Sequence, residues 1–369
     1  MAINKGYTQA DYVKAYERLG SERKVASELG VAHSTVHQAL KRANKDPAME
    51  RAASAIGTQM EPLMAWFKTK PDDDGTSYSV LLKKPAEDRN FLEEMRRVFD
   101  GLKPAEPIEP PEFVLDDLCT VYPLMDVHLG MLADPEETGG SGYDTKRAVE
   151  DLKKAFSKVL ALTPYSADGV LIIGGDFFHG NDHTNQTQRS RHALDVDGRH
   201  WKVVGAGIEI ISEIVGTLAM RHQNLTIRVL RGNHDPESHM ALTFALYERY
   251  RDVPHVTVDK SPMDIFMKQW GKCLIAAHHG DRAPPERLSL YISDVCPFWS
   301  DTRHRHVLTG HVHKDQAKDV GPIRWESLYA FAPPDAYAAG AKYSGRRSLQ
   351  AMTFHKEDGR VLVASDPID

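Results

Sequence analysis

Five short apolar runs in this chain are each followed at once by residues able to bind a cation or move a proton. TVYPLM leads into Asp126 and His128, GVLIIGG into Asp176, and LTIRVL into Arg231 and the Asn233-His234-Asp235 triplet. CLIAA leads into His278, His279 and Asp281, and HVLTG into His311 and His313. Imidazole and carboxylate together suit manganese, iron or zinc better than calcium, which prefers oxygen alone. A carboxylate has two oxygens, so one Asp can bridge a metal pair. Because His278 and His279 both follow CLIAA, the residues alone leave open which of them is the ligand.

For these groups to meet, the apolar runs must be neighbouring strands pointing the same way. Between the runs lie amphipathic stretches at helical spacing, Ala148, Leu152, Ala155, Phe156 and Val159 sharing one face and residues 203–220 repeating the pattern. Runs alternating with helices build a largely parallel sheet, and ligands bind in the crevice beyond the carboxyl ends of its strands. With 369 residues the chain exceeds one ordinary core, so one large α/β domain and something smaller are expected. Hydrophobic residues at 41% and charged residues at 27% are globular values, and a net charge of −6 gives no global attraction to nucleic acid. Cys119, Cys273 and Cys296 have no paired spacing, which excludes a disulfide framework and a thiolate zinc site. No apolar run suits a signal peptide or a membrane span, so a cytoplasmic protein, bacterial or in a phage-infected host, is the expectation.

The smaller part is read at residues 1–46, where 7–43 forms three short helices with turns at Gly20-Ser21 and Gly30. Ala26 sits where two helices cross and Val36 faces the core. That spacing resembles the DNA-binding helix-turn-helix family, which would present Ser34, Thr35, His37, Gln38 and Lys41 to a major groove and Arg42 to phosphate. Eight basic residues, Lys5, Lys14, Arg18, Arg23, Lys24, Lys41, Arg42 and Lys45, outnumber Asp11, Glu17, Glu22, Glu28 and Asp46 there. Such modules also bind proteins. Residues 47–112 read as a tether, with a small hairpin near Trp66 and Val80, a helix near 91–99 and a proline-rich stretch KPAEPIEPPE. Residues 113–369 are read as the α/β domain that carries the five motifs.

The five motifs in this order resemble the calcineurin-like metallophosphoesterase superfamily over essentially all of 113–369. The resemblance implies an αββα sandwich and two divalent metals, with Asp126, His128 and His313 on one, Asn233, His279 and His311 on the other, and Asp176 bridging. It favours His279 over His278, since the family ligand stands directly before a glycine. A water or hydroxide between the metals would be the nucleophile, His234 the general acid, and Asp235 the group orienting its ring.

Two details, DVHLG and GDFFH, look like the SbcD-type DNA repair nucleases. That likeness makes His179 a second catalytic candidate and implies manganese, a DNA substrate, a homodimer and an SbcC-like ATPase partner. No capping domain or helical arm is read after the last strands, so the ATPase partner stays open and the N-terminal module would supply DNA affinity. Arg189 and Arg191, in the polar loop NDHTNQTQRSR, are candidate phosphate contacts or part of a solvated loop, and Arg231 is a candidate for a phosphate contact or a structural ion pair. The expected function is a metal-dependent DNA nuclease in repair, recombination or phage replication. The alternatives are a phosphodiesterase or phosphatase acting on a nucleotide or phosphoprotein, and a DNA-binding regulator that uses the fold as a scaffold.

Overall fold

A computed structural model describes residues 7–43, 64–68, 79–83, 99, 101–187 and 191–368. The chain divides into two compact units, 1–90 and 91–369. In the first, α1 (Gln9–Leu19), α2 (Glu22–Leu29) and α3 (His33–Ala43) enclose a core of Tyr12, Ala15, Val25, Ala26 and Val36. Gly20 and Gly30 end α1 and α2 in left-handed conformation, each returning its N–H to a carbonyl four residues back. Further along, β1 (Met64–Lys68) pairs antiparallel with β2 (Ser79–Lys83). The helix expected near 91–99 falls almost wholly outside the described residues.

From residue 101 onward the second unit runs through β3 (Leu115–Leu124), α4 (Pro135–Thr138), α5 (Thr145–Leu162), β4 (Ser166–Ile173), α6 (His200–Ala219) and β5 (His222–Val229). It continues through α7 (Ser238–Tyr250), β6 (Val256–Asp259), β7 (Ile265–Trp270), β8 (Cys273–His278), α8 (Pro285–Val295) and β9 (His304–Thr309). The last elements are β10 (Gln316–Val320), β11 (Ile323–Ser327), α9 (Ala336–Gly340), β12 (Arg347–His355) and β13 (Gly359–Ile368). They form a six-stranded sheet, β13-β12-β3-β4-β5-β6, and a five-stranded sheet, β10-β11-β9-β8-β7. The pairs β3-β4, β4-β5, β5-β6, β8-β9 and β9-β11 are parallel, and the remaining pairs are antiparallel.

Four layers follow from where the apolar residues go. Val121, Val170, Ile172, Ile275, Ala277, Leu308 and Phe354 fill the space between the two sheets. The outer face of the larger sheet, with Tyr122, Leu171 and Ile227, packs on Leu152 and Phe156 of α5, Ile211 and Val215 of α6 and Leu246 of α7. On the outer face of the smaller sheet, Leu274, Ala276 and Val307 meet Leu288 and Ile292 of α8. A strand buried on both faces must be apolar at nearly every position, which is why β4 and β8 read as continuous runs. Helix α5 starts where Asp144 accepts the Arg147 N–H at 2.7 Å. Helix α6 starts a turn earlier than its apolar pattern suggests, Arg199 preceding it. Phe99, Leu102, Ala105 and Ile108, within the stretch read as a tether, pack against this core.

Candidate metal centre

The parallel strands β3, β4 and β5 end side by side, and β8 and β9 end opposite them across the sandwich. At the ends of β3, β4 and β9 the chain turns sharply, and the turn is made by the polar residue itself. Asp126, His128, Asp176, His311 and His313 all have φ between 47° and 68°. Left-handed backbone is uncommon for residues with a Cβ and clusters where function over-determines the conformation. The neighbouring glycines explain how the turns close. A Cβ on Gly232 would lie 2.0 Å from Asp176 Oδ1, and one on Gly310 would lie 2.3 Å from Asp126 Oδ2. Only glycine lets these carboxylates lie against the facing backbone.

Three groups of donor atoms result, each within 4.8 Å of one another: Asp126 with His128 and His313, Asp176 with His279 and His311, and a third that joins His128 to His179 and His234 and contains no carboxylate. His313 Nε2 lies 3.4 Å from Asp126 Oδ1 and 3.4 Å from His128 Nε2. His279 Nε2 lies 3.2 Å from Asp176 Oδ2 and 3.1 Å from Asn233 Oδ1, which brings Asn233 into the second group. The Nδ1–H of His279 donates to the Gly174 carbonyl at 3.0 Å, which fixes the tautomer and turns Nε2 into the cage. His278 points elsewhere, its Nδ1 accepting the Gly280 N–H at 2.9 Å. The carboxylates are held from behind: Asp126 accepts the His311 N–H at 2.9 Å and Asp176 accepts the His234 N–H at 2.7 Å.

The electrostatics fit a cation. Burial holds His128 well below the usual imidazole range, so it offers a lone pair. Burial alone would lower His279 too, but Asp176, Asp126 and Asp281 outweigh it and lift its pKa to about 10. The carboxylates that hold this proton would equally hold a metal ion in its place. Imidazole, carboxylate and amide donors on two adjacent centres suit manganese, iron or zinc.

His179 is 1% exposed, with Nδ1 3.2 Å from His128 Nδ1 and its ring stacked on His234, centroids 5.2 Å apart. Its Nε2 is buried without a partner, and burial, followed by the charge of His234, pushes its pKa down to about 3. It therefore stands behind one cage ligand and beside the expected acid. His234 is half-buried and lines the cleft over the cage, and its Nδ1–H donates to the His179 carbonyl at 2.9 Å. That carbonyl, and not Asp235, orients the ring. Asp235 is fully buried and accepts the N–H groups of Gly232, Phe177, Phe178 and Asp176 at 2.8–3.2 Å. Its role is to pin the Asp176 turn to the Asn233 turn.

The two candidate arginines among the described residues, Arg231 and Arg191, do not converge on the cage. Arg231 bonds the Gly232 carbonyl at 2.7 Å and pairs with Asp281 at 3.3 Å, so it makes the ion pair in place of the phosphate contact. Arg191 is exposed, its backbone N–H donating to the Thr187 carbonyl, and it does not line the cleft. Arg189 lies outside the described residues. On α3, Ser34 and Thr35 are exposed, and His37 lies 3.2 Å from Glu22, which also meets His33. The side chains of Gln38, Lys41 and Arg42 lie outside the described residues.

Two contributors escaped sequence reasoning. Asn181, read as part of a substrate loop, accepts the N–H groups of Glu237 and Ser238 at 2.7 and 3.0 Å, capping α7 from outside. Tyr143 donates its hydroxyl to the Val127 carbonyl at 2.7 Å, behind the first ligand turn. An Asn after GDFFHG was a visible capping signal, but its helix starts 57 residues away.

No protein-family model and no curated protein sequence matches the chain. Among solved structures it is similar to YfcE, a phosphoesterase from E. coli, at 16% identity and a TM-score of 0.33, covering 68% of this chain and 100% of that one. It is also similar to Vps29 from Entamoeba histolytica in complex with zinc (12% identity, TM-score 0.29, covering 68% and 99%). A third similar structure is Vps29 from Cryptosporidium parvum (12%, 0.33, covering 69% and 100%). At these values the overlap carries no functional weight, which falls on the cage itself. Among the described residues, no helix is long and apolar enough to cross a membrane.

Proposed function

We propose that residues 91–369 form a metal-dependent phosphoesterase that hydrolyses phosphodiester bonds in DNA, with manganese as the preferred ion. One observation carries the reading: five strand ends bring Asp126, His128, Asp176, Asn233, His279, His311 and His313 into two donor groups, with Asp126, His128, Asp176, His311 and His313 on left-handed turns. Two divalent cations held there would lower the pKa of a water and draw charge from phosphoryl oxygens. The chain's own residues do the rest. Asp176 belongs to the second group, its Oδ1 fixed by the His234 N–H and its Oδ2 on His279, and would be the carboxylate shared by the two ions. His234 keeps Nδ1–H on the His179 carbonyl, which leaves Nε2 to give a proton to a departing alkoxide. His179 excludes water from one side of His128 and holds that ring.

The N-terminal helices support DNA as the polymer. Val36 and Ala26 are buried and Gly30 makes the turn, while Ser34 and Thr35 are presented outward, as in a helix-turn-helix module. The testing experiment incubates manganese-loaded protein with duplex DNA, single-stranded DNA, a cyclic nucleotide and a chromogenic phosphodiester, beside His234→Ala and Asp176→Asn. DNA cleavage lost in both variants is expected. Turnover of the small esters with DNA left intact would overturn the nuclease reading and favour a small-molecule phosphodiesterase.

A further inference from the structure

The cage forms the floor of a cleft of about 550 Å³, but one wall comes from residues 333–346, which the metal ligands do not include. This wall is braced from within and tied to the core at its carboxyl end. Asp335 caps α9 by accepting the Ala338 N–H at 2.7 Å, and the Tyr343 N–H donates to the Ala338 carbonyl at 2.8 Å. At Gly345 a Cβ would sit 3.4 Å from the His313 carbonyl, so the wall passes close to a cage strand end. Next to it, buried Arg347 donates to the Phe331 carbonyl and to Asp151, both at 2.8 Å.

On this fixed frame two aromatic rings are left in solvent. Tyr337 is 66% exposed and Tyr343 61%, and both line the cleft. Tyr337 rests against His192, ring centroids 5.6 Å apart, while Tyr343 meets no other ring among the described residues. Lys314 and Arg346 line the same cleft, exposed and without a carboxylate partner among the described residues. Single exposed tyrosines are ordinary. Two on a rigid wall, beside two uncommitted cations and over a phosphate-handling cage, form the arrangement that takes a nucleotide: a π face for the base and positive charge for the flanking phosphate. A base inside a duplex has both faces covered by its neighbours, so such a platform selects bases that are free.

Resting on the phosphodiesterase reading above, we propose that Tyr337 and Tyr343 are the base platform of this cleft, with Lys314 and Arg346 on the flanking phosphates, and that the substrate enters as a single-stranded, unstacked nucleotide. The choice of strand form is thereby made at the cleft by this wall.

The test compares a dye-labelled tetrathymidylate with an abasic tetramer of the same backbone, binding being read by fluorescence anisotropy. The full-length chain is used with manganese, in a His234→Ala background so that the probe survives. The base-bearing probe should bind about tenfold or more tighter than the abasic one. Tyr337→Ala with Tyr343→Ala should abolish the difference, and Tyr337→Phe with Tyr343→Phe should restore it. In the otherwise unaltered enzyme, the double alanine variant should raise KM for the thymidine 5′-ester of p-nitrophenyl phosphate and leave KM for its methyl ester unchanged. Equal binding of the two probes by the His234→Ala protein, or a double alanine variant that weakens both alike, would overturn the platform. If neither ester is hydrolysed while base-dependent binding persists, the phosphoesterase reading fails and the platform stands.

Discussion

The amino and carboxyl ends of the sandwich's parallel strands both bury histidine, yet they are built in opposite ways. At the amino end His222, at the start of β5, is fully buried and fully satisfied. Its Nδ1–H donates to the Ser166 carbonyl at 3.0 Å and its Nε2 accepts the Tyr122 hydroxyl at 3.0 Å. Its backbone is unstrained and its ring covers Gly169. At the carboxyl end, by contrast, His128, His311 and His313 sit on left-handed turns, His179 Nε2 has no partner, and imidazoles crowd within contact of one another. Burial of a histidine is therefore no mark of function. Burial together with backbone strain and an unmet donor or acceptor is.

That contrast breaks most sharply at Asp176. Asp176→Asn should lower phosphodiester hydrolysis by about 10³-fold or more, because several kcal/mol of charge stabilisation goes with the ions; steady-state rates at saturating manganese check it. His234→Ala should follow, at about 10²- to 10⁴-fold in kcat on esters with poor leaving groups, with a smaller loss on p-nitrophenyl esters that need no acid. His179→Ala should weaken metal binding by about 10- to 100-fold, read by equilibrium dialysis, since it removes the neighbour that holds His128.

Changes at the amino end should move stability and leave turnover per folded molecule alone. A Cβ on Gly169 would lie 2.3 Å from His222, so Gly169→Ala should cost about 1–3 kcal/mol in urea unfolding. Burial lowers the His222 pKa to about 4, below the ordinary value of its unfolded form. Its contribution is thus fully present above about pH 6.5 and is lost as pH falls from there toward 4, roughly 3 kcal/mol in all. His222→Gln should lack that part of the acid slope. An unchanged slope would show that the amino end, too, tolerates a charged imidazole.

Much of the cage was legible because its parts are local. A strand written as an apolar run announces its own end, and parallel neighbours bring those ends together, so TVYPLM, GVLIIGG and LTIRVL located Asp126, Asp176 and Asn233 without coordinates. What could not be read was which group touches which. Asp235 adjoins His234 in sequence, which suggested a pair, but it turns inward to four backbone N–H groups while a carbonyl 55 residues away orients the imidazole. For Arg231 the sequence left phosphate and an ion pair equally open, and Asp281, just past β8, supplies the ion-pair partner. Tyr337 and Tyr343 sit in a segment with no motif, and only the β11–β12 connection carries them to the cleft.

The most direct measurement is the number of ions the chain holds. After equilibrium dialysis against manganese and elemental analysis, the full-length protein should retain two per chain. His313→Ala and His311→Ala should each remove one, and Asp176→Asn should weaken both. A chain that retains no ion, or retains as many in Asp176→Asn as in the unaltered protein, would contradict the two-metal centre.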